Sequence, residues 1–224
     1  MDQHKISVVI LGSTGAVGGE VLKALLKMPE VGKITSLGRS KVSSVKAEHF
    51  SQFSIAVFEP ETYKDLLVHH DTAICTLGVG EPSKVSKEDF IKIDKLAVLD
   101  FAKACKQAGV KHFELLASVG ISAKSSSFYL RIKGELVEEL KALNFESLSV
   151  FQPSMIITPT NRYGFSQALT LAVWPVISKL FFGKLKKYRG IAVEKLGRAM
   201  AVHTIKNSSG TTFLTWDDFH KLQS

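Results

Sequence analysis

The chain has 224 residues, 45% hydrophobic and 22% charged, with a formal net charge of +8 and a pI near 9.4. That balance excludes a disordered or fibrous chain, and the length suits one α/β domain that can bury a large core without staples. Two cysteines, Cys75 and Cys105, sit in apolar segments, and no Cys/His cluster has ligand spacing, so neither a disulfide framework nor a metal site is expected.

The first strand begins by Ile6, which leaves no room for a secretory leader, and the expected location is the cytoplasm. Residues 6–18 read I-S-V-V-I-L-G-S-T-G-A-V-G: an apolar β-branched run, three glycines at three-residue spacing, then an amphipathic segment from Val17 to Met28. Lys33–Leu37 reads as a second strand, Ile55–Phe58 as a third, and Glu61–Leu67 as a short helical stretch. Thr72–Leu77 reads as a fourth strand ending at Gly78. Apolar residues at Phe90, Ile93, Leu96, Ala97, Phe101 and Ala104 give Lys87–Gln107 helical spacing, closed by Gly109. His112–Leu116 is a fifth strand, Phe128–Leu143 a helix and Ser147–Phe151 a sixth strand.

After Pro153 the alternation decays. Pro159, Asn161 and Gly164 interrupt it, a helical stretch starts at Phe165, and a basic loop holds Lys184, Lys186, Lys187 and Arg189. A helix near Val193–Ile205, a last strand at Thr211–Leu214 and a last helix at Trp216–Leu222 close the chain. The repeated βα units imply an α/β fold, a doubly wound parallel sheet of Rossmann type. The whole chain is expected to be one nucleotide-binding domain, with residues 153–224 as a small C-terminal lobe closing the substrate side of the cleft.

The glycine turn has a chemical use. Gly12 permits a sharp turn, Gly15 lets backbone approach a ligand, and Gly18 lets the helix lie close to the strand. The helix start then offers free N–H groups to a pyrophosphate. The spacing G-x-x-G-x-x-G is one residue longer than the usual dinucleotide fingerprint. The second strand ends Leu37-Gly38-Arg39-Ser40-Lys41, with no acid to hold a ribose 2′-hydroxyl. Arg39 and Lys41 suit a 2′-phosphate instead, so NADPH (NADP+) is the expected cofactor. The plain alternative is a surface arginine.

Tyr129 and Lys133 stand four apart on a predicted helix and share a face. An ammonium beside a phenol suits proton transfer to a carbonyl or from an alcohol. Ser118, just after the fifth strand, is placed to hold the substrate oxygen. The catalytic set read from the chain is therefore Ser118, Tyr129 and Lys133, although a surface i,i+4 pair remains the bland reading of the last two.

This combination resembles the short-chain dehydrogenase/reductase superfamily, in its atypical branch, and within that the Tat-interacting-protein-like oxidoreductases. G-S-T-G-A-V-G at 12–18, L-G-R at 37–39, C-T-L-G at 75–78, K-H-F-E-L-L-A-S at 111–118 and Y-L-R-I-K-G-E at 129–135 carry the resemblance. F-F-G-K-L at 181–185 and V-E-K-L-G-R-A-M at 193–200 extend it over nearly the whole chain. It implies bound NADPH, catalytic roles for Tyr129 and Lys133, and cofactor contacts along Gly12, Ser13, Thr14, Gly15, Ala16, Val17 and Gly18. It also implies contacts at Arg39, Ser40, Leu77 and Gly78, at Pro153, Ser154, Met155 and Ile156 after the sixth strand, and at Arg162. The chain departs from the family pattern at Gln152, where arginine is usual, at Ser154, where glycine is frequent, and in the loop Val79–Ser86.

Two functional classes follow. One is an NADPH-dependent oxidoreductase acting on a small-molecule carbonyl or alcohol substrate that the sequence leaves unidentified. The other is a cofactor-loaded regulatory module that a protein partner reads. The basic residues are scattered, and no nucleic-acid partner is expected. The apolar run Ala168–Phe182, interrupted by Pro175 and Lys179, is too short to span a membrane. With Lys184–Arg189 behind it, Leu169–Phe182 has the apolar-then-basic order of a peripheral membrane contact. His69 and His70 point apart as neighbours, His203 reads as a structural histidine, and Glu59 is a surface acid or an adenine contact.

Overall fold

The computed structural model describes residues 5–43, 45–159, 181–206 and 208–223. Its elements in chain order begin with β1 (Ile6–Leu11), α1 (Ala16–Leu25), β2 (Val31–Gly38), β3 (Phe50–Ser54) and β4 (Thr72–Cys75). Then come α2 (Lys87–Ile91), a π turn (Lys92–Leu96), α3 (Ala97–Gln107), β5 (His112–Leu116), α4 (Phe128–Ala142) and β6 (Ser147–Phe151). The described C-terminal part holds β7 (Ile156–Ile157), β8 (Ile191–Ala192), α5 (Val193–His203), β9 (Gly210–Leu214) and α6 (Trp216–Lys221).

Seven strands form one parallel sheet in the order β3-β2-β1-β4-β5-β6-β9, and β7 pairs with β8 separately. The order reverses between β1 and β4. In an open parallel sheet that reversal leaves a crevice beyond the carboxyl ends of the two strands, because their connections depart to opposite faces.

Side-chain alternation along β1 builds a core on each face. Val8 and Ile10 join Val21, Leu25, Leu196 and Met200 on one side. Val9 and Leu11 join Phe101, Phe113, Leu136 and Leu140 on the other. Because central strands are covered twice, they read as continuous apolar runs, and the sequence locates them well. The third strand is the exception. It lies at Phe50–Ser54 and not at Ile55–Phe58. As an edge strand it pairs only with β2 and leaves most of its side chains half-buried or exposed, so its hydrophobic signal is weak. Ile55 lies just past it, with its N–H on the Gly38 carbonyl at 3.0 Å.

Two further expectations change in detail. Glu61–Leu67 folds as two short 3-10 turns, Pro60–Thr62 and Lys64–Leu67. The basic loop is a 3-10 turn over Gly183–Tyr188, with Phe182 and Leu185 exposed. The stretch from Phe165, Arg162 and most of the apolar run Ala168–Phe182 lie outside the described residues. Among those described, no helix is long and apolar enough to cross a membrane.

Within residues 153–224, β9 extends the main sheet beside β6 and α5 lies against α1. The contact is close at Gly197, where a Cβ would stand 2.5 Å from the Glu20 Cβ and 2.8 Å from the Val21 backbone nitrogen. His203, at the end of α5, meets Glu114 of β5 through Nδ1 at 2.8 Å and packs edge-on against Phe151. Burial pushes the Glu114 carboxyl up, against the pull of His203. His203 is thus a structural histidine. His70 is another, bonded to the Thr35 hydroxyl at 2.8 Å and the Leu67 carbonyl at 3.1 Å.

The α1–α5 contact gives a direct test. Gly197→Ala forces two helix backbones apart and should destabilise the fold by about 1–3 kcal/mol, the usual range for overpacking. An unchanged urea midpoint would show that the helices have slack there.

Candidate active site

The turn between β1 and α1 is shaped by contacts that exclude side chains. Gly12 has a φ of +100°, and a Cβ there would lie 2.7 Å from the Thr76 hydroxyl. A Cβ on Gly18 would lie 2.2 Å from the Gly12 carbonyl oxygen. The Gly12 carbonyl accepts from the Gly15 N–H at 3.0 Å and from the Thr76 hydroxyl at 3.1 Å. Gly15 caps α1 with an extended backbone and no side-chain bond. The first N–H groups of the helix have no acid in the first turn to answer them.

Two cavities of about 320 and 170 Å³ open beyond this turn, and both are lined by Gly15, Thr76, Leu77 and Gly78. They are the two ends of one cleft across the β1/β4 switch point. At the smaller end stand Gly12, Thr14, Val57, Gly38, Arg39 and Ser40, and among the described residues no acid lines it. At the larger end stand Ala16, Val17, Tyr129, Lys133, Ser154 and Ile156. A backbone cradle that a Cβ would fill, an N-terminal helix end and a cation at the far edge together fit a dinucleotide.

The helix α4 delivers Tyr129 and Lys133 on one face, as their spacing predicts. Phe90 of α2 packs against the Tyr129 ring at 5.4 Å and is itself buried. The Lys133 ammonium stands 5.7 Å from the centre of that ring. It meets the Asp94 Oδ1 at 2.8 Å, both side chains being buried. The contact is a buried ion pair. The other carboxylate oxygen accepts the Val79 N–H at 2.7 Å. Burial alone depresses a lysine, but here Asp94, and then Tyr129, outweigh it and Lys133 is raised above its ordinary value.

Asp94 is the residue that sequence reasoning missed. Helical periodicity placed it within one long helix, Lys87–Gln107. The structure interrupts that helix with a π turn, Lys92–Leu96, and buries Asp94 in the cleft wall. An acid at an inward position of an amphipathic helix was the available signal.

Several expected site residues sit elsewhere. Ser118 lies one residue beyond the cavity wall, which β5 supplies through Leu116 and the following Ala117. Ser13 is buried, its hydroxyl held by Ser36 at 2.5 Å, so it supports the turn from behind. Gly18 is a packing position rather than a lining one. Pro153 and Met155 flank the wall while Ser154 and Ile156 form it. Val57, not Glu59, reaches the smaller cavity. Thr76, Val79 and Thr158 line the cleft as well. Arg162 lies outside the described residues. Among these, no cluster of three His, Cys, Asp or Glu forms a metal site, and Cys75 and Cys105 are free and buried.

Comparison with known proteins follows this geometry. No protein-family model matches the chain. Over 154 residues the chain is 34% identical to protein HTATIP2 of Rattus norvegicus, covering 67% of this chain and 63% of that protein. It is 30% identical over 178 residues to the mitochondrial protein FMP52 of Meyerozyma guilliermondii, covering 78% and 75%. The mitochondrial FMP52-1 of Scheffersomyces stipitis is 31% identical, covering 68% of each. Among solved structures, MoeE5 with UDP-glucuronic acid and NAD superposes with a TM-score of 0.70 at 15% identity, over 93% of this chain and 75% of that one. The oxidoreductase YlbE of Lactococcus lactis superposes with a TM-score of 0.67 at 16% identity, over 97% of both. These likenesses establish the Rossmann-type fold of dehydrogenases. The mitochondrial relatives overturn the expectation of a cytoplasmic protein. Two buried free thiols do not discriminate between compartments.

The turn makes a sharp prediction. Gly12→Ala meets both a disfavoured φ and the Thr76 hydroxyl, and should lose about 1–3 kcal/mol of stability. Thermal melting reads it. A melting temperature equal to that of the wild type would show that the turn has room.

Proposed function

The chain belongs to the atypical short-chain dehydrogenase/reductase family that includes HTATIP2 and the FMP52 proteins, and on that premise we propose that it is an NADPH-dependent reductase of small carbonyl compounds. One observation carries the reading. A single cleft runs from Arg39, at an edge without acids among the described residues, past the glycine turn to the Tyr129–Lys133 pair. The adenosine end suits a 2′-phosphate, and the opposite end holds a proton donor beside a cation.

A reduced nicotinamide bound there supplies the hydride. The chain's own residues do the rest. The free N–H groups at the start of α1 hold the pyrophosphate, and Arg39 and Ser40 hold the 2′-phosphate. Tyr129 donates its proton to the substrate oxygen as the carbonyl carbon takes the hydride, so that an alcohol leaves. Lys133 stabilises the charge that develops on the phenol oxygen. Ser154 and Thr158 place hydroxyls on the substrate side of the cleft, replacing Ser118 as the groups that orient the carbonyl. By analogy with the FMP52 proteins, the site of action is mitochondrial.

The displacement of Ser118 from the cavity wall favours a second reading, a cofactor-loaded module that a protein partner recognises. The two readings separate on turnover. Tyr129→Phe should lower carbonyl reduction by about 100-fold or more, in line with loss of a general acid, while NADPH binding stays within threefold or so of wild type. Tight NADPH binding with no oxidation of it by any of a panel of aldehydes and ketones would remove the reductase and leave the module.

Cofactor choice is tested at Arg39. Arg39→Ala should weaken NADPH binding by about 10- to 100-fold, the scale of a lost charge-assisted phosphate contact, and leave NADH binding unchanged. Calorimetry with both coenzymes measures it, and equal losses for the two would end the 2′-phosphate assignment.

A further inference from the structure

The 3-10 turn Gly183–Tyr188 sorts its side chains into rows, because residues three apart eclipse one another in that geometry. Lys186 and, at the cap that follows, Arg189 face the protein. Lys186 stands 3.9 Å from the Asp217 carboxylate, and Arg189 lies over the Trp216 ring at 5.0 Å. Both residues are half-buried. Leu185 and Tyr188 form a second row, which Phe182 precedes at the first cap, and these three are 54%, 36% and 67% exposed. Lys184 and Lys187 form the third row. Both are exposed, and Lys187 leans over the Tyr188 ring at 5.2 Å. The turn is thus fastened along one side and presents an apolar ridge beside a basic one. Residues 181–189 include four cations and no acid.

The ridge is held from behind. The Trp216 indole N–H donates to the Gly190 carbonyl at 3.0 Å, and the Ile191 N–H donates to the Met155 carbonyl at 2.9 Å. A surface already fixed in this way loses little conformational freedom on docking. Its chemistry says what covers it. Clustered apolar side chains in water are favourably removed from it. A protein partner buries apolar residues at the centre of an interface and leaves lysine out of that centre. Here lysines alternate with the apolar side chains along the turn. A bilayer accepts both, since the headgroup boundary receives the apolar groups while lysine stems stretch back to the phosphates.

We propose that Phe182, Leu185 and Tyr188, flanked by Lys184 and Lys187, dock the protein peripherally on an anionic phospholipid surface. Beyond Arg189 the chain enters β8, whose partner β7 contributes Ile156 to the cleft wall. The docking turn and that wall are therefore joined through one two-stranded sheet. Docking of this kind is independent of reductase chemistry, and it can be measured without coenzyme or substrate.

Sedimentation of the full chain with vesicles tests it. Phosphatidylcholine vesicles holding about 30% phosphatidylglycerol should carry the protein down at about 50 mM salt, and pure phosphatidylcholine vesicles should bind it about tenfold more weakly or worse. Lys184→Gln/Lys187→Gln should weaken binding to the anionic vesicles by about 30-fold, the worth of two lysines at such a surface. Phe182→Ala/Leu185→Ala should weaken it by about tenfold or more at unchanged charge. All four positions are exposed, so both variants should melt within about 2 °C of wild type. If one of them melts lower, the other decides. No sedimentation at low salt, equal binding to neutral and anionic vesicles, or wild-type binding by either folded variant overturns the proposal. Poly-glutamate that binds as tightly as the vesicles, and loses affinity with the same substitutions, would give the face to an acidic protein and overturn it as well.

Discussion

The rest of the cleft depends on the close approach of Gly18 to the Gly12 carbonyl. No side chain fits between them, and the same carbonyl collects the Gly15 N–H and the Thr76 hydroxyl. That contact joins β1, the first turn of α1 and the end of β4 into one rigid corner. The corner lies where the strand order reverses, so the cleft opens against it. Everything assigned to nucleotide binding depends on the backbone staying in that shape.

The sheet carries this corner because it is covered on both faces. Alternate residues of β1 enter different cores, so the strand cannot slip by one position without exchanging its two buried sets. The C-terminal segment contributes to the same frame. β9 pairs with β6, α5 presses on α1 through Gly197, and the His203–Glu114 contact anchors the end of that helix to β5. The cleft is thus supported from the C-terminal side as well as formed from the N-terminal one.

On the chemical side, charge is managed by pairing. Lys133 is buried and would lose its proton more readily there if it stood alone, but the Asp94 carboxylate reverses the balance. At the other end of the cleft Arg39 is exposed, and among the described residues no acid lines the wall beside it. One cation is neutralised within the protein, and the other is presented outward.

Much of this was legible in the residues themselves. The glycine spacing, the central β-branched runs, the absence of an acid after β2 and the Tyr129–Lys133 pair are local patterns, because strand, turn and helix each impose a short period on the chain. Three features were not local. The third strand lies at the sheet's edge, where little burial marks it, so the apolar run beside it drew the assignment. Ser118 lies one step past the cavity because the exit of β5 depends on its neighbour β6, whose Phe151 carbonyl takes the Ala117 N–H. Asp94 lies buried in the cleft wall within a π turn that interrupts the expected helix. Sequence determined the fold class and the chemical vocabulary of the site, since both follow from periodicity and residue type. Tertiary structure alone decided which side chains meet, because a contact between residues 94 and 133 depends on how two helices are pressed against the same sheet.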